Sequence, residues 1–410
     1  MSWPSNRPSH ASLSRNEIDD LNARFAESDD TLGIQVTGSF EPFNQMNDMF
    51  TRAFWDETVR TEDTDSFFDS YRMGFAPRRG EGFSQKDFAL RNAAWAISDI
   101  ISNRGGAAGR REGFQAAIEN DTQVATEKVT VDDPAAEALE IKRLARLFGA
   151  DLVGITALDL RWHYSAAVDT RDMTPRSNDL PEGITSVIVM GHAMDADLVD
   201  TYPSALAGAS TGLEYSHEAA IAIQLATYIR NLGYEAIASM NDTALVIPYA
   251  IKAGLGEYGR NQMVITAEFG PRVRFSKIFT SLPLRSDVPK PLGIKQYCEL
   301  CTRCAEACPP KALPFGEEES EPRNRSTIAG VKKWSADCEK CFSYWAKLKT
   351  DCAICMRVCP FNRRYQSLAD RLFRKLATSR FRHLALWWVE RRGAPARAKP
   401  KDWWARMRAR

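Results

Sequence analysis

The chain has 410 residues, of which 44% are hydrophobic and 26% charged, and its formal net charge is +1. This length exceeds that of a usual single domain, and the composition is that of a soluble globular protein. The balanced total charge argues against a polyanionic partner for the chain as a whole.

The charge is nevertheless unevenly distributed. Residues 361–410 contain fifteen Lys or Arg and three Asp or Glu, which leaves 39 basic and 50 acidic residues for the first 360 positions. A basic tail on an acidic body indicates a docking surface for an acidic partner or a peripheral contact with an anionic membrane. Packing of the tail over the rest of the protein is the third alternative.

The sequence also bears on location. No apolar run approaches the roughly 20 residues that cross a bilayer, and the first 21 residues lack the apolar core of a secretory signal. All nine cysteines fall within residues 298–359 at metal-type spacings, which is typical of a reducing compartment. We therefore expect a cytoplasmic protein without an export leader or transmembrane segment.

In chain order, four units are predicted. Residues 1–132 are polar and weakly periodic, and indicate helices and long loops. Residues 133–290 alternate helix and strand patterns, which predicts an α/β (α+β) core. The predicted helices are 136–147 and 214–232, and the predicted strands are 151–156, 184–191, 234–239, 263–266 and 273–280.

Residues 291–365 are cysteine-dense, and their short spacers leave no room for long regular elements, so bound metal must supply much of their stability. Residues 366–410 form a basic, Trp-rich C-terminal extension.

Two cysteine motifs carry the strongest signal. The first is Cys298-x2-Cys301-x2-Cys304-x3-Cys308-Pro309, the run in which the fourth cysteine of a bacterial ferredoxin binds the other cluster. The second is Cys341-x10-Cys352-x2-Cys355-x3-Cys359-Pro360. Two 4Fe–4S clusters are therefore predicted. The first takes Cys298, Cys301, Cys304 and Cys359, and the second takes Cys341, Cys352, Cys355 and Cys308.

Two alternatives to this assignment remain. Paired CxxC spacings also bind zinc, although zinc does not need a crossed fourth cysteine followed by proline. The ninth cysteine, Cys338, forms a CxxC with Cys341 and is an alternative ligand, because the Cys341–Cys352 spacer is unusually long.

Upstream of the cysteines, further stretches form a more specific pattern. These stretches are IKRLARLFGADLVGITALDLRWHY, ASTGLEYSHEAAIAIQLATYIRNLGYEAIAS and IPYAIKAGLGEYGRNQMVITAEFGPRVRFSKIFTSLPL, followed by the paired motifs with CFSYW between them. Together, over about residues 137–365, they resemble the corrinoid-dependent reductive dehalogenases.

The resemblance implies a nitroreductase-like corrinoid-binding core followed by a bacterial-ferredoxin-like domain with two 4Fe–4S clusters. It also implies cobalamin bound base-off, with no protein side chain as the lower ligand. The chain contains no Asp-x-His-x-x-Gly stretch that would supply such a histidine.

Three residues carry over from the resemblance. Tyr215, expected at the start of the long helix, matches the proton-donating tyrosine, Arg274 matches the basic residue beside it, and Asn241 matches a polar residue facing the substrate. A guanidinium favours the phenolate, so we expect Arg274 to make Tyr215 a better acid. Alternatively, Tyr215 only packs, Asn241 only shapes a turn, Arg272 takes the role of Arg274, or both arginines are structural.

A glycine-rich run, Gly254-Leu255-Gly256-Glu257-Tyr258-Gly259, precedes the arginine strand. Glycines allow backbone to approach a ligand closely, so Gly254, Gly256 and Gly259 are expected against the nucleotide tail of the corrinoid. Trp55, Trp95 and Trp162 are candidates for a substrate pocket or for ordinary core, and His163, His192 and His217 are interpreted as structural.

The resemblance predicts the reaction R–X + 2e⁻ + H⁺ → R–H + X⁻ on an organohalide, with a halogenated phenol favoured because arginine can hold a phenolate. No flavin-binding reductase unit is recognisable, so a separate ferredoxin or flavodoxin is the expected electron donor. Two other functions compete with this prediction. They are a tRNA-modifying enzyme like epoxyqueuosine reductase, which expects an aspartate where Tyr215 stands, and an iron–sulfur electron carrier without an active site.

Overall fold

The N-terminal part of the chain is helical. The structure, a computed structural model, describes residues 13–101, 115–118, 120, 122–169 and 173–409. The first elements are α1 (Arg15–Leu32), β1 (Gln35–Val36), α2 (Met49–Trp55), α3 (Glu62–Asp69) and α4 (Gln85–Ile101). Ser14 and Glu17 form a capping box at the start of α1, and Gly33 ends that helix in the left-handed conformation. Residues 1–12, which carry the expectation about a leader, lie outside the described residues.

A mixed helix and sheet core follows. Its elements are α5 (Pro134–Phe148), β2 (Leu152–Ala157), β3 (Ala167–Asp169), β4 (Thr174–Arg176), β5 (Ser186–Ala193), α6 (Ala196–Val199), α7 (Ala205–Asn231), β6 (Ala236–Ser239), α8 (Val246–Lys252), β7 (Glu257–Tyr258), β8 (Val264–Ile265) and β9 (Val273–Thr280). The main sheet has the order β2-β5-β9-β6, and every pairing in it is antiparallel. The antiparallel pairing makes the core α+β, within the predicted class.

The inner strand β5 is buried on both faces. Ile188 and Met190 pack with α5 and α7, whereas Val187 and Val189 pack with α8. This alternation follows from the period of two along a strand, and it places helices on both sides of the sheet.

The long helix α7 begins nine residues earlier than predicted, at Ala205 rather than Glu214. Its first eight residues are small or apolar and all of them are buried, so they show no amphipathic stripe that a sequence pattern could reveal. Tyr215 therefore lies well inside the helix and not in its first turn.

The cysteine-rich segment and the tail are also largely helical. Their elements are α9 (Ile294–Leu300), α10 (Arg303–Ala307), β10 (Val331–Lys332), α11 (Cys338–Leu348), α12 (Ile354–Arg357), α13 (Leu368–Ala377), α14 (Arg382–Arg392) and α15 (Pro400–Ala409). The prediction that no long regular element occurs in residues 291–365 is wrong for α11, which runs through eleven residues. Among the described residues, no helix combines the length and apolarity needed to cross a bilayer.

The N-terminal helices pack against the cysteine-rich segment. Strand β1 pairs with β10, and the rings of Phe50, Phe67 and Phe68 contact Phe342 of α11 at centroid distances of 5.2–5.8 Å. The buried guanidinium of Arg91 donates from Nη1 to the Lys349 carbonyl at 2.6 Å. The two units therefore share one interface and are not separate bodies joined by a linker.

A buried ion network fixes α1 to the core. Arg161 donates from Nη2 to Asp29 at 2.8 Å and to Asp159 at 2.7 Å, and Lys252 donates to the same two carboxylates at 3.1 and 2.9 Å. All four side chains are at most 8% exposed. Two cations and two anions thus compensate one another's charge at a place where water cannot solvate them.

Arg161→Met should destabilise the protein by about 3–5 kcal/mol, because it leaves two buried carboxylates with one cation. Chemical denaturation of the reconstituted protein measures this loss. Arg323→Ala is the matched control, since its exposed pair with Glu319 contributes about 0–1 kcal/mol. Equal losses in the two variants would contradict the role assigned to the buried network.

Candidate active site

The first predicted cluster site is a small cavity beneath α13. It is lined by the side chains of Tyr297, Phe361 and Ile265 and by the four cysteines of the first predicted ligand set, Cys298, Cys301, Cys304 and Cys359. Burial raises the pKa of the free thiols of Cys298 and Cys304, so their thiolates need the compensation that bound iron provides.

The second predicted set gathers between α10, α11 and α12. Cys304, Cys308, Cys341 and Cys355 pack in one cluster of side chains. Burial is the largest cause that raises the pKa of the Cys355 thiol. The charges of Cys352, Cys341 and Cys308 raise it further, which they can do only because these four thiols are neighbours. The two groups thus contain the cysteines predicted for each cluster, with Cys359 in the first group and Cys308 in the second. Iron ligation by each residue stays a prediction. Among the described residues, no three His, Cys, Asp or Glu side chains are placed to share a single metal ion.

The glycine-rich run is built into the support of the first cluster site. Glu257 accepts hydrogen bonds from the backbone amides at the start of α9, including that of Lys295 at 2.7 Å. The buried guanidinium of Arg260 donates to the carbonyls of Cys298 and Cys301 at 3.0 and 3.1 Å. Neither charged residue was singled out from the sequence, although both lie in the AGLGEYGR stretch.

The three glycines of this run lie outside the large cavity described below. Gly254 has a φ of +75°, which favours glycine, and a Cβ on Gly256 would meet the Ile265 carbonyl oxygen at 2.6 Å. A Cβ on Gly259 would meet the Ile265 side chain at 2.4 Å. Close packing on β8 explains Gly256 and Gly259, the positive φ explains Gly254, and contact of the three with a corrinoid tail stays a prediction.

A cavity of about 400 Å³ opens between the sheet and the cysteine-rich segment. Its wall contains Tyr215, Asn241, Arg274, Trp95 and Trp162. It also contains Cys338, three residues before the predicted ligand Cys341, and Asp351, directly before the predicted ligand Cys352. The volume is within the range of small-molecule and cofactor sites. The second cluster site is therefore the one next to the cavity.

Tyr215 is held from three sides. Asn241 donates from Nδ2 to the phenol oxygen at 2.9 Å, and the indole of Trp95 stacks on the phenol ring at a centroid distance of 5.0 Å. The Arg274 guanidinium carbon lies 5.5 Å from the centre of the same ring. The structure thus brings together the three residues that the resemblance implies, and their catalytic roles stay predictions.

Arg272 and Arg274 have different surroundings. Arg272 donates to the carbonyl of Met194 at 3.1 Å and to that of Arg363 at 3.1 Å, and it does not line the cavity. Arg274 is paired with His192 across β5 and β9 and faces Tyr215. Of the two arginines considered from the sequence, Arg274 is therefore the one at the tyrosine.

The net effect on the acidity of Tyr215 is opposite to our expectation. Burial raises the pKa of Tyr215 to about 12, although the Arg274 charge and the Asn241 hydrogen bond both act in the other direction. Desolvation of the phenolate outweighs the nearby cation. Tyr215 is consequently a protonated phenol at neutral pH.

Hydrogen bonds hold the turn that carries Asn241. The Asp242 carboxylate accepts hydrogen bonds from Ser239 Oγ at 3.0 Å and from the Met240 amide at 2.8 Å, and the Asn241 carbonyl accepts one from Tyr164 at 2.9 Å. Asn241 shapes a turn, as considered from the sequence, and it also contacts the tyrosine.

Two glycines of α7 let other parts of the chain reach this region. A Cβ on Gly212 would lie 2.5 Å from the Trp95 ring, and one on Gly208 would lie 2.6 Å from Asp351. The Asp351 carboxylate accepts hydrogen bonds from Tyr202 at 2.6 Å and Thr211 at 2.7 Å. A glycine inside a helix often marks a close approach of another part of the chain, and Gly208 and Gly212 could have indicated these contacts from the sequence.

The remaining candidates have ordinary surroundings. Trp55 is 37% exposed and lies outside the cavity wall. His163 shares a hydrogen bond with Tyr249 at 3.1 Å and His192 shares one with Ser276 at 3.0 Å. These contacts agree with the interpretation of both histidines as structural.

Glu218 is a fully buried carboxylate one helical turn beyond Tyr215. Arg274 and Lys277 from β9 and Glu214 from α7 face it, and burial raises the pKa of Glu218 to about 8. The carboxyl group therefore changes its charge near neutral pH beside the arginine that faces the tyrosine.

Comparison with known proteins agrees with this geometry. The family described as a 4Fe-4S double cluster binding domain matches residues 297–362. Tetrachloroethene reductive dehalogenase of Desulfitobacterium hafniense is 35% identical over 261 residues, covering 54% of this chain and 47% of the relative. The enzyme of the same name from Sulfurospirillum multivorans is 35% identical over 256 residues, covering 56% and 51%.

The chain is similar to reductive dehalogenases over 54–56% of its length. It spans about half the length of these relatives. Epoxyqueuosine reductase of a Synechocystis strain is 30% identical over a shorter stretch of 136 residues, which covers 30% of this chain and 41% of that enzyme. The suspected resemblance and the prediction of 4Fe–4S binding are confirmed.

The fold is shared as well. A solved reductive dehalogenase, described with a mechanism for B12-dependent dehalogenation, superposes with a TM-score of 0.65 at 22% identity and covers 86% of this chain and 46% of that one. A catabolic reductive dehalogenase in complex with 3-bromo-4-hydroxybenzoic acid gives a TM-score of 0.66, with the same identity and coverage.

The ligand assignment predicts different outcomes for two neighbouring cysteines. Cys341→Ala should lower the iron content per chain, because it removes one of the four thiolates of a cluster. The Cys338→Ala variant should have the same iron content per chain as the wild-type protein. Iron and sulfide analysis after anaerobic reconstitution measures both, and the reverse pattern would identify Cys338 as the ligand.

Glu218→Gln should change how stability depends on pH. A carboxyl whose pKa rises from 4.5 unfolded to about 8 folded destabilises the native state increasingly as pH increases between those values. The variant should therefore gain thermal stability relative to wild type between pH 6 and pH 8, by up to about 2 kcal/mol. Thermal unfolding at both pH values tests this, and a constant difference would show that Glu218 does not titrate in this range.

Proposed function

We propose that this protein is a cobalamin-dependent reductive dehalogenase that removes halide from an organohalide. The observation that carries the proposal is the grouping of Tyr215, Asn241 and Arg274 on the wall of a cavity that also reaches the second cluster site. A protonated phenol, a buried cation and a source of electrons are the parts that replacement of a halide by a proton requires.

The proposed cofactors are two 4Fe–4S clusters and one base-off cobalamin without a protein lower ligand. The two groups of four cysteines have the composition that two clusters need, with Arg260 and Glu257 holding the surrounding backbone. The large cavity has a largely apolar and aromatic wall, and no histidine is among the described residues that line it. A reduced corrinoid cobalt bound there would supply the electrons that break the carbon–halogen bond.

In this proposal Tyr215 supplies the proton. Burial keeps its phenol protonated until carbanion or radical character develops on carbon. Once the proton has left, Arg274 and the Asn241 amide favour the phenolate, so both residues stabilise the product state of the transfer. Trp95 fixes the ring plane and excludes water from that face.

The proposed substrate is a halogenated phenol. The Arg274 guanidinium faces the cavity and stays charged, so a phenolate or carboxylate on an aromatic ring finds a cation there. The flat aromatic side chains of Trp95 and Trp162 suit a ring. A solved neighbour of the same fold binds 3-bromo-4-hydroxybenzoic acid, which has this chemistry.

Electrons are proposed to come from a separate low-potential ferredoxin or flavodoxin. The cluster next to the cavity is the second one, and the first lies farther out beneath α13, so the two form a path from the surface to the cavity. A cytoplasmic location is part of the same proposal, because clustered, unpaired cysteines are typical of reducing compartments.

The two competing functions have less support. The similarity to epoxyqueuosine reductase covers 30% of the chain, against 54–56% for the dehalogenases, and Tyr215 stands where that enzyme's aspartate was expected. A pure electron carrier needs no cavity of about 400 Å³ beside its clusters. Eight irons with no cobalt per chain, from protein produced anaerobically with cobalamin, would contradict the dehalogenase proposal.

Tyr215→Phe should lower halide release from a halophenol by about 10²–10⁴-fold, because the variant keeps the ring and loses the general acid. Its iron and cobalt contents should equal those of wild type. Tyr228→Phe, on the same helix but hydrogen-bonded to Glu140 at the surface, is the control and should remain active. Full activity of Tyr215→Phe would remove the phenol from the mechanism.

A further inference from the structure

The basic tail is a folded cover over the first cluster site. The hairpin formed by α13 and α14, residues 368–392, buries Phe373, Ala377, Ala385 and Val389 in the same side-chain cluster as Cys298, Cys301 and Cys359. The Phe373 ring contacts Tyr297 and Phe361 at centroid distances of 5.9 and 5.7 Å. Arg303, next to Cys304, donates to the Val389 carbonyl at 2.7 Å.

The opposite face of this hairpin is apolar and exposed. Its members are between 48% and 78% exposed, and they are Leu368, Leu372, Phe381, Leu384 and Trp387. Exposed large apolar side chains grouped on one element are a usual mark of an interaction site. We refer to these five side chains as the outer patch.

The outer patch is surrounded by positive charge. Residues 368–392 contain seven Lys or Arg and two Asp or Glu, and one of those acids, Asp370, is already paired with Arg363 at 2.6 Å. In the part of the chain that the structure describes, Arg371, Lys375 and Arg391 have no carboxylate within ion-pair distance, and the Arg391 guanidinium lies 4.5 Å from the centre of the Trp387 ring. The complementary surface is apolar at its centre and acidic at its rim.

The patch is also close to the outer end of the electron path. A single helix layer, about 10 Å thick, separates it from the cavity lined by Cys298, Cys301, Cys304 and Cys359. A membrane would suit aromatic and basic side chains equally well, but it would not explain their position above the cluster that lies farther from the cavity.

We propose that the outer patch is the docking surface for an acidic electron-transfer protein, which delivers single electrons to the first cluster through the α13–α14 hairpin. The donor is oxidised by one electron as the first cluster is reduced by one, and no bond is formed or broken. The inference rests on the proposed function only for the fate of these electrons. It assigns part of the basic tail to electron entry and leaves α15, which packs on α4 through Trp404 and Asp87, out of the surface.

The test uses the full reconstituted chain and flavodoxin hydroquinone, an acidic one-electron donor, in stopped-flow experiments. The appearance of flavodoxin semiquinone and the bleaching of the clusters are followed without organohalide. A variant with Arg371→Glu, Lys375→Glu and Arg391→Glu should be reduced at least ten-fold more slowly at low ionic strength. Its rate should also lose the steep decrease with salt expected of wild type.

The matched control changes the same amount of charge at α15, with Lys399→Glu directly before the helix and Lys401→Glu and Arg408→Glu within it, and should be reduced nearly as fast as wild type. Reduction by dithionite and the iron content should be the same in all three proteins, which excludes misfolding. Leu384→Ser, which changes no charge, should also slow the reduction of the clusters by flavodoxin but not their reduction by dithionite.

Equal flavodoxin rates in wild type and the patch variant would overturn the proposal, as would equal slowing by the α15 control. Co-sedimentation with phosphatidylglycerol vesicles that depends on the patch, with unchanged flavodoxin rates, would assign the surface to a membrane instead. Concentration-dependent dimerisation lost in the patch variant, again with unchanged rates, would assign it to a second copy. If the wild-type protein accepts electrons from flavodoxin through the patch but dehalogenates no organohalide, the result would contradict the proposed function and leave this inference intact.

Discussion

The exchange of fourth thiols between the two cysteine motifs is the constraint on which the C-terminal half depends. Cys308 is the last cysteine of the first motif but lies with the second group, and Cys359, the last cysteine of the second motif, lies with the first group. With this exchange, neither predicted cluster site is complete until both halves of the segment are in place. The tail, the N-terminal aromatic side chains and the Arg260 contacts all pack on that closed unit, so the position of the cavity wall follows from it.

At the tyrosine, two opposing effects set the chemistry. Desolvation holds the proton on the phenol, while Arg274 and Asn241 lower the free energy of the phenolate. A tyrosine exposed to water beside the same arginine would be a stronger acid but would lose its proton to solvent at high pH. Burial moves the loss of the phenol proton further above the physiological pH range, and in the proposed mechanism Arg274 and Asn241 stabilise the phenolate once the proton has been transferred.

Much of this arrangement was accessible from the sequence, and the exceptions have physical reasons. The strands of the main sheet and the eight cysteines follow from periodicity and spacing. The true start of α7 could not be predicted in this way, because a helical segment that is buried on every side has no alternation of apolar and polar residues. The support given by Glu257 and Arg260 was missed because their partners are backbone groups 35–56 residues further along the chain, and residue types do not reveal which backbone groups a side chain will contact. Arg274 could be separated from Arg272 only by seeing that Arg272 is satisfied by two carbonyls.

The pairing of β1 with β10 joins residues roughly 300 positions apart, with Gln35 opposite Lys332. Contacts this distant in sequence are slow to form, since a long loop must close before any energy is gained. During synthesis the N-terminal helices leave the ribosome well before their partners in the cysteine-rich segment exist. One wall of the cavity, which contains Ile34 and Val331, is therefore completed only after the cysteine-rich segment has been made.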